Sequence, residues 1–151
     1  MNQKRNLSLI AVLLAVSLNG CAAWKSGSVT HKVTASQHSF KDVVAGFQDA
    51  EIAAHQQRDP NGLPLVPDGI HLQIQQTIQK VALAGVDLDT FLATNPPSAG
   101  IKVKLDAIYT LLDSIQNDGL TGIKNPTTKA SLEVALGAVK AIIDGALVQV
   151  Q

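Results

Sequence analysis

The stretch SAGIKVKLDAIYTLLDSI, residues 98–115, decides the fold class. Its apolar residues Ile101, Leu105, Ile108, Leu112 and Ile115 recur at alternating intervals of four and three. That spacing places them on one face of a helix. Gly119 is expected to close the helix, with Leu120 making the apolar contact that accompanies a glycine cap.

Toward the carboxyl end, Asn125-Pro126 form a cap and first-turn pair. The helix they open carries Leu132, Leu136, Val139, Ile143 and Val150 in the same rhythm. Gly137, Ala141 and Gly145 stand four apart along it and form a ridge over which another helix can pack closely. The ridge is expected either to pack inside the domain or to serve a second copy or partner. Lys140 and Asp144 are spaced as an i,i+4 ion pair. With Lys129 and Glu133 they interrupt the helix too often for a membrane span.

Working back from Ser98, Asn95-Pro96-Pro97 is a breaker. Before it, Asp87 is expected to cap a short helix over 88–94 with Leu88, Phe91 and Leu92 inward. The preceding helix, Gly69 to about Ala84, is capped by Asp68, carries the stripe Ile70, Ile74, Ile78 and Val81, and stops at Gly85. Asp59-Pro60-Asn61-Gly62, Pro64 and Pro67 form a connection. Upstream, Phe40, Val44, Phe47 and Ala54 keep helical spacing from about His31 to Gln57, with Thr34 and Ser36 as possible later caps. The pattern predicts an all-α fold: a small bundle of about four main helices plus one short helix, over residues 31–151, up-down in topology.

Ahead of the bundle, Met1 to Arg5 is a positive head, and Leu7 to Leu18 is an uncharged apolar run of twelve residues. The run is short of the roughly 20 residues a spanning helix needs. It reads as an export signal, removed on maturation. Leu18-Asn19-Gly20-Cys21 resembles the lipobox of bacterial lipoproteins: a leucine three residues before the cysteine, a small residue directly before it. Asn19 stands where that family usually has a small or hydroxyl residue.

The resemblance implies a signal peptide over 1–20, cleavage between Gly20 and Cys21, and lipidation of Cys21 by thioether-linked diacylglycerol and an amide-linked acyl chain such as palmitate. Residues 21–30 then form the lipidated cysteine and a polar tether. Ala22 in place of aspartate leans toward the outer membrane in the enterobacterial pattern, and Trp24 suits the interface. Cys21-Ala22-Ala23 is also a small-x-small site, so cleavage before Trp24 would release a soluble protein into the periplasm; an uncut leader is the other alternative. The chain has one cysteine, so no internal disulfide is available to an exported product, and lipidation accounts for the odd thiol.

Without residues 1–20 the chain keeps ten basic against twelve acidic residues. That balance gives no electrostatic footprint for nucleic acid and no polybasic aid to membrane binding. Few residues carry recognisable chemistry. His31 and His38 stand seven apart with Asp42 one turn on, a weak metal set because i and i+7 converge poorly; a solvated polar face is the plain alternative. His55 and His71 read as a last-turn and a surface histidine. Asp59, Asn61 and Asp68 are oxygen donors without the glycine and glutamate spacing of a calcium loop. Asp87 and Asp89 read as caps. No nucleophile elbow or phosphate-cradling loop occurs. The expected product is a membrane-anchored envelope lipoprotein with a non-catalytic interaction or adaptor domain and no cofactor. The alternative is a lipoprotein holding a small apolar molecule between the second and fourth helices.

Overall fold

A computed structural model describes residues 28–151; the leader, Gly20 and Cys21 lie outside the described residues. Four long helices, α1 (Val29–Gln56), α2 (Asp68–Leu92), α3 (Ser98–Ser114) and α4 (Pro126–Gln149), make an all-α bundle. Each helix packs against its neighbours in the order α1–α2–α3–α4, and α4 closes the ring on α1. Pairings such as Glu51 with His71 and Lys41 with Asp89 run in opposite residue order. So do Gly100 with Phe91 and Gly119 with Ile74. Alternating direction follows, the geometry that short connections impose on a bundle.

The α3 stripe behaves as its spacing demands. Ile101, Leu105, Ile108, Leu112 and Ile115 are all buried, facing Phe40 and Phe47 of α1, Ile74 and Ile78 of α2, and Leu132, Leu136, Val139 and Ile143 of α4 in one core. Each aliphatic side chain so buried contributes about 2 kcal/mol. Burial rather than helix propensity therefore holds the elements in place.

Several boundaries differ from the sequence reading. α1 begins at Val29, earlier than Thr34 or Ser36 would start it, because the Ser28 hydroxyl accepts from the His31 N–H at 3.3 Å. The tether expected through Thr30 thus gives way to helix at Val29. Gly85 does not stop α2. It lies inside the helix, buried against α1, where a Cβ would meet the Phe40 ring at 3.4 Å. The short helix expected at 88–94 is therefore the end of α2. Asp87 and Asp89 do not cap a helix start but lie in the last turns of α2, reaching Lys104 and Lys41. Asp68 is the first residue of α2 and makes no side-chain cap.

Gly119 also departs from expectation. Its φ of −83° is right-handed, so it is no left-handed cap. The chain continues past Ser114 as a π-turn over Ile115–Gly119 and a 3₁₀ turn over Leu120–Gly122. A Cβ on Gly119 would lie 2.8 Å from Ile74, and one on Gly122 would lie 2.4 Å from Ile70. These two glycines are there for space, so that Leu120 and Ile123 can seal the core. Asn125 caps α4 as expected, accepting from the Thr128 N–H at 2.9 Å.

Candidate functional site

The buried charge among the described residues, Glu51, lies where α1 ends and α2 begins. Glu51 falls on the core stripe of α1, four residues past Phe47, and is 0% exposed. A carboxylate there needs donors, because an unmatched buried charge is expensive. His71 Nδ1–H donates to both its oxygens at 3.0 Å, and Gln75 Nε2 donates to one at 2.6 Å. Gln48 Nε2 in turn donates to Gln75 Oε1 at 2.8 Å.

The network extends sideways through a stacked ring. His55 lies over His71 with centroids 4.0 Å apart and planes 8° from parallel. His55 Nδ1–H donates to the Val66 carbonyl at 2.8 Å, and Nε2 stands 3.8 Å from Asp68 Oδ1. Helix spacing explains the assembly: Gln48, Glu51 and His55 lie on successive turns of α1, and His71 and Gln75 are one turn apart on α2. The arrangement ties the connection to both helices. Parallel stacking keeps the ring nitrogens of the two imidazoles in separate planes, which suits packing better than chelation.

The connection itself is a turn. Asp59 Oδ1 accepts from the Asn61 and Leu63 N–H groups at 2.8 and 2.9 Å. Gly62 takes φ +80°, the left-handed conformation that glycine tolerates. Arg58 and Pro64 face each other as an isolated antiparallel bridge. The Asp59 carboxylate is thus engaged by backbone, as the turn reading requires.

The weak metal candidates are not brought together. His31, His38 and Asp42 are all exposed along α1. Among the described residues, no group of three or more His, Cys, Asp or Glu is placed to hold a metal ion. His38 instead borders an open cleft of about 260 Å³ between α1 and α2, with Thr34, Gln37, Lys41, Asp89, Leu92 and Ala93. Gln37 is buried there with Oε1 unpartnered. The cleft mixes polar side chains with an apolar lining and lies between the first two helices, whereas the apolar pocket expected for a ligand belongs between the second and fourth.

The ridge on α4 turns outward. Gly137 and Ala141 are exposed, Gly145 is half-buried, and nothing lies within 4 Å of a Cβ built on Gly137. Gly137 and Ala141 therefore do not pack inside the domain, since the inner face of α4 is occupied by its leucine and isoleucine stripe. Lys140 does not pair with Asp144. It donates across the bundle to Asp113 at 2.6 Å and to Gln116 at 2.8 Å, with its ammonium 4.8 Å from the centre of the Tyr109 ring. Burial opposes its charge, but the bond and charge of Asp113, aided by Tyr109, more than offset this and raise its pKa.

Sequence reading missed the Glu51 network. The signal was present: in the row Phe40, Val44, Phe47, Glu51, Ala54, one acid occupies a core position. Its partners could not be named without knowing that α2 packs antiparallel with His71 level with it. No helix among the described residues is long and apolar enough to cross a membrane. Comparison with protein-family models, curated proteins and solved structures found no match.

Proposed function

We propose that this chain is a bacterial envelope lipoprotein, held to a membrane through lipid on Cys21 and presenting a non-catalytic helical interaction domain to the periplasm. One observation carries the reading: Leu18-Asn19-Gly20-Cys21 follows a positive head and an uncharged apolar run. Two acyl chains anchor stably where one is marginal, at about 0.8 kcal/mol per buried methylene. Attachment then needs nothing from the folded part, and a near-neutral bundle suits that division of labour. The bundle's polar network supports a structural rather than a chemical role, since its donors and acceptors satisfy one another.

Labelled palmitate should enter the wild-type protein and be lost from Cys21→Ala, with the variant leaving the membrane fraction. Label that persists in the variant, or a mature protein starting at unmodified Trp24, overturns the proposal.

A further inference from the structure

The cleft between α1 and α2 holds hydrogen-bonding capacity that the bundle does not use, and most of it is acceptor capacity. Gln37 lines the cleft at 3% exposure, and its Oε1 meets no donor among the described residues. A buried acceptor left without a partner is rare in native proteins and calls for an explanation. The Thr34 hydroxyl donates its one proton to the Thr30 carbonyl at 2.8 Å, so its oxygen can only accept. Lys41 donates to Oδ2 of Asp89 and leaves Oδ1. The cleft also lies at the carboxyl end of α2, between Asp89 and Ala93, where the helix dipole favours a positive group.

A donor is what these atoms lack, and a charged donor suits them best. A simple amine is an incomplete match, because Lys41 stands at Asp89 and repels it. The Lys41–Asp89 pair joins α1 to α2 with side chains 52% and 32% exposed, and so exposed a pair exchanges partners at little cost. A molecule bearing an ammonium and a carboxylate on one carbon can divide it. The ammonium takes Asp89, the carboxylate takes Lys41, and charge stays balanced. Size agrees: about 260 Å³ lies below the roughly 300–1,000 Å³ of sites for drug-sized ligands.

We propose that this cleft binds a free α-amino acid with an aliphatic side chain. Its ammonium donates to Asp89 and Gln37 Oε1, its carboxylate accepts from Lys41, and its side chain lies on Leu92 and Ala93. Oε1 itself has no exposed surface. A half-turn of the Gln37 amide, whose two ends have nearly the same shape, brings the oxygen round to the ligand.

The site is independent of lipid attachment, and its test keeps the two apart. L-Leucine is the probe, added at millimolar concentration to the isotope-labelled full chain. It should shift the side-chain amide resonances of Gln37 in a saturable manner, equally in wild type and Cys21→Ala. Asp89→Asn and Lys41→Met should each weaken binding at least tenfold while circular dichroism stays helical. On the wild-type chain, isoamylamine carries the ammonium alone and isocaproate the carboxylate alone, and each should bind at least tenfold more weakly than leucine. Gln37 resonances that do not move, or that move without saturating, overturn the site. Isoamylamine or isocaproate binding as tightly as leucine overturns the amino-acid assignment, and unchanged affinity in Asp89→Asn or Lys41→Met overturns the division of the ion pair.

Discussion

Glu51 sits on the core stripe of α1 with no solvent contact, and the donors of His71 and Gln75 hold it there. Removing one donor leaves part of a buried carboxylate unmatched, which costs about 1–3 kcal/mol. His71→Ala should therefore lower the urea unfolding free energy by about that much. Glu51→Met with His71→Leu should recover most of the loss, since apolar replacement of a buried polar pair is often neutral or better. If the single variant unfolds like wild type, the network contributes nothing. Lys140 offers a different test. Its pKa is raised in the folded chain, so the stabilisation it supplies is complete below the ordinary lysine range. That stabilisation is lost as pH climbs through the raised value. The difference in melting temperature between wild type and Lys140→Met should hold from neutral pH to about pH 10 and shrink above it. A constant difference up to about pH 12 would show that only packing was lost.

At the scale of the element, spacing made the helices legible and punctuation misled. The stripes of α3 and α4 are buried residue for residue as their rhythm implies. Glycine was harder, because one residue serves two purposes: it ends helices, and it makes room between them. Gly119 and Gly122 serve the second, and only the neighbouring Ile74 and Ile70 reveal it. The π-turn after Ser114 was invisible for a related reason, since its cause is the fit of Leu120 and Ile123 into a core built by distant elements. Gly122 gives the sharpest check. A methyl group there would meet Ile70 at 2.4 Å, too close to accommodate without movement. Gly122→Ala should cost about 1–3 kcal/mol, the usual range for overpacking, and Ile70→Val in the same chain should return part of it. Stability unchanged in Gly122→Ala would mean the turn shifts freely.

Across the whole molecule, the fold class followed from periodicity and short connections, while the site did not. The partners of Glu51 stand twenty and twenty-four residues along the chain, and one sequence carries no record of which turn of α2 lies level with Glu51. The outward ridge escaped for the same reason: small residues at intervals of four mark a place for close approach without saying on which side of the helix it happens.

The alternating direction of the helices has a further bearing on posture. It sets the start of α1 and the end of α4 at the same extremity of the bundle. From Cys21 to Ser28, where α1 is capped, the chain can reach at most about 25 Å. With lipid on Cys21, a solitary bundle moored by that short leash is free to stand upright on the bilayer.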